Sequence, residues 1–406
     1  MSMWKKLLMV STVALTAVTL GACGNSQSST SSSNNNSNKP LTLWVATDYV
    51  PWYKTSVKEF EKKHPNIKVK VAPSPNGTAN AKTDVGKDPT KAADVFAVPH
   101  DQLGQMASSG YINPVSPKDT QNIKNNDIAV AYKAASWKGK VYGYPYTSDI
   151  NFLYYNKSKL SANDVKDWNT LTKKGVVATD FSNAYNIWPI MFSAGTKLFG
   201  DNGEDVKGST MDSQAGVNGL KWVAAQKDNK GVMQTSNALN QLKLNHAQAI
   251  LDGPWDATNI RRILGKNFAV APFPKATVGG KKVQMKAFLG IGCFAINSRT
   301  KNPKGASELA NFLTNKEQQL VVHKKTGETP VNKAAEQTPA VKNDEVADAV
   351  MTMSQPSHSV IMPKLPQITV FWNESAPLLS GVYDHKVKPD QYRAKLAKLQ
   401  KDISKK

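Results

Sequence analysis

Two residue types fall where a binding pocket would place them. The aromatics Tyr144, Tyr146, Tyr185, Trp188, Trp255 and Trp372 sit beside turn signals, not inside periodic apolar stripes. The carboxylates Asp48, Asp101 and Asp149 sit where strands should end. An aromatic face covers the C–H face of a sugar ring and keeps water from it. A carboxylate accepts hydrogen bonds from hydroxyls at fixed positions, and a charged acceptor makes the stronger bond. Together the two types suit carbohydrate. Taken singly, any one of these Trp residues is more often core than stacking platform. Trp44 falls inside the first predicted strand and is expected to be core, whereas Trp188, just before Pro189, suits either a core or a site.

Other chemistries find little support. His64, His100, His246, His323, His358 and His385 show no metal-ligand spacing, so no metal or cofactor is expected. Gly279-Gly280 lies in a Lys-rich hairpin and not in a phosphate loop. The formal net charge is +21, but it is nearly all lysine; the arginines are Arg261, Arg262, Arg299 and Arg393. Nucleic-acid readers lean on arginine for bidentate contacts, and no basic run is interleaved with aromatics. The charge reads as a solvated lysine surface, with loose attraction to anionic wall polymers or lipids as the other possibility.

The chain starts with Lys5 and Lys6 before an apolar stretch at 7–18, too short to span a bilayer. That is the shape of a secretory signal peptide over residues 1–22. It ends in Leu20-Gly21-Ala22-Cys23, which resembles a bacterial lipobox. The resemblance implies a diacylglyceryl group on Cys23, leaving it as the first mature residue and anchoring the chain to a membrane. Residues 24–38 hold only Gly, Asn, Ser, Gln and Thr, a composition that cannot build a core and suits a tether. The one remaining cysteine, Cys293, cannot form an intramolecular disulfide and reads as a buried small hydrophobe. Stability must come from core burial, within about 365 residues, enough for two lobes.

The elements that must position the site follow a βα rhythm. Residues 41–46 read as a strand, 55–64 as a helix stopped by Pro65, and Ile67, Val69 and Val71 alternate with lysines as a second strand. Residues 94–98 form another apolar run, and 101–109 read as a helix starting at an Asp cap. Further strands are expected within 141–155, and at 248–251, 268–271 and 288–296. Helices are expected at 215–226, 307–324 and 391–403, with Pro254 opening another. Such units predict open, mostly parallel sheets flanked by helices, with ligand bound beyond the carboxyl ends of the strands.

The wording of several segments goes further. Gly139-Lys140-Val141 running to Tyr155-Asn156-Lys157, Asp252-Gly253-Pro254-Trp255 with Asn259-Ile260, and Ile361-Met362-Pro363 through Pro366-Gln367 to Phe371-Trp372 resemble the extracellular solute-binding proteins of ABC importers. Among these they are similar to the maltose/maltodextrin-binding proteins, from about Pro40 to the C-terminus. The resemblance implies an α/β, two-lobed periplasmic-binding-protein fold with ligand in the interlobe cleft. It puts residues 39–147 and 290–340 in lobe 1 and 148–289 and 341–406 in lobe 2. Chain crossings are implied at 147–150 and 288–293 and in a helical stretch near Ala340. Asp48 and Asp101 match hydroxyl-binding Asp residues, and Tyr185, Trp255 and Trp372 match stacking residues. Asp149 matches an acidic residue that is Glu in the best-known member, and Gln102 stands where that member has Arg. Other departures are Val98 for a Trp, Tyr49 for a Lys, and Asn183-Ala184 for Glu-Pro.

The implied function is a monomeric, membrane-anchored receptor that hands malto-oligosaccharides to ABC permease subunits. A receptor for isomalto-, cyclo- or fructo-oligosaccharides fits the changed polar contacts too. A surface glycoside hydrolase would need two flanking carboxylates, one raised in pKa. An adhesive lipoprotein would draw on the positive charge.

Overall fold

The computed structural model describes residues 39–405 apart from Asn202. The export segment at 1–22, Cys23 and the tether at 24–38 lie outside the described residues. Leu41–Val45 alternates buried Leu41, Leu43 and Val45 with half-buried Thr42 and Trp44. It pairs in parallel with Val69–Pro73 on one side and Val95–Pro99 on the other. The intervening helix, Val50–Lys63, begins earlier than its apolar spacing suggests. Pro51 supplies a first-turn residue whose missing N–H costs nothing there. Its Tyr53, Val57 and Phe60 share one buried face.

Ala287–Ile296 is the central strand, and every one of its residues is buried. It runs antiparallel to Val95–Pro99 and to Tyr144–Ile150, which in turn pairs with Thr329–Pro330. Its first residues pair in parallel with Ser359–Ile361. A second sheet is ordered Phe268–Ala271, Phe152–Asn156, Ala249–Asp252, Val177–Thr179 and Val232–Gln234. Both sheets are mixed, not mostly parallel: Ala287–Ile296 runs against Val95–Pro99 in the first, and Phe152–Asn156 runs against both Ala249–Asp252 and Phe268–Ala271 in the second.

Two hydrophobic cores result. One gathers Leu43, Val57, Phe60, Phe96 and Phe294; its members reach Tyr146 and resume at Ile291. The other gathers Tyr154, Trp168, Phe288, Phe371 and Leu396; apart from Trp137 it begins at Ile150 and passes through Leu289 to Ile403. The fold is thus a two-lobed α/β architecture, with the paired strands Tyr144–Ile150 and Ala287–Ile296 shared between cores. Cys293 is fully buried, with its Sγ near the backbone of Gly143.

Several expectations shift in detail. The helix expected at 307–324 is two helices, Pro303–Leu313 and Lys316–Thr326. They break where the Asn315 side chain caps the second through the Gln318 N–H. The hairpin at Gly279-Gly280 is present, joining Lys275–Val278 to Lys281–Gln284 through two residues at positive φ. No helix among the described residues is long and apolar enough to cross a membrane.

Candidate functional site

A cavity of about 720 Å³ lies between the two cores. That is within the range of small-molecule sites. It collects six of the seven residues expected at the site: Asp101, Gln102, Asp149, Tyr185, Trp255 and Trp372. The seventh, Asp48, is exposed in the turn Thr47–Tyr49 and does not line the cavity; its neighbours Ala46 and Tyr49 do. In that turn Thr47 and Asp48 are both turned to solvent, while Ala46 before them and Tyr49 after them face the cavity.

The second core supplies an aromatic wall. The helix Ile368–Tyr383 buries Phe371, Ser375, Leu378 and Val382 and presents Thr369, Trp372, Asn373 and Ala376 to the cavity. Those four positions are one helix face. Trp372 packs edge-on against Phe288 at 5.2 Å, and Phe288 lies 6.1 Å from Tyr185 with nearly parallel rings. Tyr185 is 6.2 Å from Trp255, which completes a continuous row of rings. Local sequence holds each ring. The Asn183 side chain caps the short helix that carries Tyr185, accepting from the Tyr185 and Asn186 N–H groups. Trp255 lies over Gly253, where a Cβ would stand 2.2 Å from its ring, so only glycine fits. Trp188 is fully buried, edge-on to Phe371 at 5.0 Å, and belongs to the core beneath this wall.

The first core supplies an acidic wall. The segment expected to be a helix capped by Asp101 is instead a 3-10 turn, His100–Gln102, followed by Leu103–Ser108. Asp101 caps nothing. Its carboxylate accepts from Trp372 Nε1 at 3.3 Å, and its other oxygen has no hydrogen-bond partner. Burial pushes Asp101 up to about 6, opposed by the Trp372 bond and by Lys82. Gln102 is engaged differently: its Oε1 accepts from the Lys82 N–H and its Nε2 donates to the Ala79 carbonyl, so it fixes the loop at the cavity rim. Asp149 accepts from Thr147 Oγ1 at 3.1 Å, and burial raises it to about 6.

Lys82, Glu328 and His100 escape a reading of the sequence as site residues, and Tyr49 enters it only as a departure from the family's Lys. Lys82 Nζ donates to Gln105 Oε1 at 2.9 Å on its own wall and reaches across the cleft to Thr369 Oγ1 at 2.6 Å. Tyr49 donates to Glu328 Oε1 at 2.6 Å. Glu328 is 6 % exposed, and its Oε2 has no partner. His100, directly before Asp101, accepts at Nδ1 from the Ile291 N–H and donates from Nε2 to the Met362 carbonyl. It thereby fastens the acidic wall to both the shared strand and the segment that leads to Trp372.

An interlobe cavity with one wall of rings and one of carboxylates defines a solute-binding architecture. The family model described as bacterial extracellular solute-binding protein matches residues 55–349, and the chain belongs to that family. It is 27% identical over 92% of its length to a maltooligosaccharide ABC transporter solute-binding lipoprotein of Streptococcus pneumoniae, covering 91% of that protein. It is 26% identical to a galactooligosaccharide-binding protein of Bacillus subtilis, over 96% of this chain and 95% of that one. Among solved structures, it superimposes on a maltodextrin binding protein from L. casei BL23, determined without ligand. The TM-score there is 0.84 and the identity 56%, over 91% of this chain and all of that one.

Proposed function

We propose that the protein is the substrate-binding receptor of an ABC importer, capturing malto-oligosaccharides outside the cell and delivering them to permease subunits in the membrane. The observation that carries this reading is the cavity itself: a row of Trp255, Tyr185 and Trp372 faces Asp101 and Asp149 across a space large enough for an oligosaccharide. Ring faces take the C–H surface of each sugar, and the carboxylates take its hydroxyls. The 56%-identical maltodextrin-binding neighbour supports an α-glucan ligand.

The lobes are residues 39–147 with 290–340, and 148–289 with 341–406. They close by bending at the shared strands. A hinge of this kind favours the closed form only as far as the ligand binds it better than the open form. Trp372–Asp101 and Lys82–Thr369 are the contacts that bridge the walls on closure. Cys23 carries the lipid anchor, the tether at 24–38 gives reach, and the protein works as a monomer on the outer face of a Gram-positive type of envelope. It binds and does not turn over its ligand.

The test is a calorimetric screen of maltose, maltotriose, longer maltodextrins, cyclodextrins, and isomalto-, fructo- and galacto-oligosaccharides. Binding of malto-oligosaccharides, with a change in tryptophan fluorescence, is expected. No binding of any α-glucan at millimolar concentration refutes the ligand, and hydrolysis of one by the purified protein refutes the receptor role.

A further inference from the structure

Glu328 lies in the cavity wall without an assigned task. The ladder between Thr329–Pro330 and Tyr144–Ile150 sets Thr329 opposite Ser148 and Pro330 opposite Thr147. Continued by one residue, that register sets Glu328 opposite Asp149. Residues directly opposite in an antiparallel pair share a sheet face with Cβ atoms about 5 Å apart, and like charges there repel. Both side chains line the cavity.

The groups that face the pair are known from each packed element. Tyr49 and Tyr53 come from the turn and helix after the first strand, Tyr146 from the shared strand, Cys293 from the strand paired with it, and Tyr185 from the aromatic wall. None is a cation. Lys82, the one cation among the described lining residues, is bound to Gln105 and Thr369 and acts on Asp101. Tyr49 satisfies one oxygen of Glu328, and the other is buried and unpartnered. Two buried carboxylates with no counter-ion, one with an idle oxygen, make a site built for something that both donates and accepts hydrogen bonds.

We propose that Glu328 and Asp149 form a sugar-contacting subsite in which the two carboxyls share one proton, and that the bound ligand requires that proton to stay. This rests on the receptor reading above. Burial, reinforced by the charge of Asp149, pushes Glu328 up to about 8, while burial alone carries Asp149 to about 6. Between those values the pair holds a single proton and offers one O–H donor beside one carboxylate acceptor. A sugar hydroxyl complements both. Closure over the ligand removes water, which makes the doubly ionised pair costlier still. The closed complex therefore keeps its proton at a pH where the free protein has lost it. Above about pH 8, binding must take up a proton, and affinity falls by about tenfold per pH unit.

The experiment is calorimetric titration with maltotriose of the wild type and of Glu328→Gln at pH 7 and pH 9. Glutamine keeps the donor and an acceptor but cannot ionise. The wild-type Kd is expected to rise about tenfold between the two pH values. The variant, whatever its affinity at pH 7, is expected to change less than twofold between the two pH values. Independently of any variant, binding heats in phosphate and in Tris at pH 8 are expected to report uptake of about half a proton by the wild type. A pH-independent Kd, zero proton uptake, or the same pH profile in Glu328→Gln overturns the proposal and leaves the receptor standing. If the wild type binds none of the malto-oligosaccharides at any pH, the receptor reading falls and this proposal falls with it.

Discussion

Replacing Trp372 by alanine removes two things at once. The first is the ring itself, which packs on Phe288 at 5.2 Å and Phe371 at 4.9 Å and leaves one face to the cavity. A sugar laid on that face covers roughly 60 Å² of apolar surface, worth about 1.5 kcal/mol at ~25 cal/mol per Å². The second is the Nε1–H donor to Asp101 at 3.3 Å. Without it, neither carboxylate oxygen of Asp101 has a side-chain donor, at a cost of about 1 kcal/mol. Together these predict a loss of about 2.5 kcal/mol in binding, or a Kd raised about 30- to 100-fold. Trp372→Phe separates the two effects. It keeps a ring and loses the donor, so it is expected to weaken binding by only about fivefold. Trp255→Ala removes a ring that is not bonded to Asp101 or Asp149, and is expected to fall between the two. Calorimetry with maltotriose measures all three, with thermal melting as a check on folding. A folded Trp372→Ala protein whose Kd stays within twofold of wild type would show that the aromatic wall does not carry the ligand.

Three other outcomes follow from the structure. Gly104→Ala should lower stability by about 1–3 kcal/mol, because a Cβ there stands 2.1 Å from the Lys364 carbonyl oxygen; helix propensity alone would make the same change stabilising, so a thermal melt decides between the two. His100, fully buried beside Lys364 and bonded as the neutral ring, is held down at about 3. Its contribution to stability is complete above about pH 6.5 and is lost as pH falls, by about 2 kcal/mol at pH 5. Denaturant melts should show the wild type's advantage over His100→Gln shrinking by that amount between pH 7 and 5, and a pH-independent gap would refute the assignment. Cys23→Ala should release into the medium a protein that binds maltotriose with wild-type affinity; retention at the membrane, seen by immunoblot of cell fractions, would refute the anchor.

Much of this molecule is legible in the chain because its signals are local. Leu41, Leu43 and Val45 alternate, Gly279-Gly280 turns, and Trp255 and Trp372 sit in distinctive short segments. What stays hidden depends on contacts between distant parts. Asp101 looks like a helix cap from its neighbours alone, and it takes the partner Trp372 to turn its carboxylate elsewhere. Glu328 acquires meaning only from the register that sets its strand against Tyr144–Ile150. His100 has no spacing signature at all, since its two bonds go to the backbones of Ile291 and Met362. Asp48 is the converse case: its position after the first strand favoured the site, and the turn geometry sends it to solvent.

The shared strand Ala287–Ile296 also governs the order in which the molecule can be finished. Val95 must wait for Ile296, about two hundred residues later, and the early parallel strands stay without their antiparallel neighbour until then. A chain that emerges from its N-terminus therefore cannot close its first core before much of the second has been made. Such long sequence separations slow folding. The order of the strands acts as a clock in this sense: the first core waits for Ile296 and the residues after it, and the second for the helix that ends at Ile403.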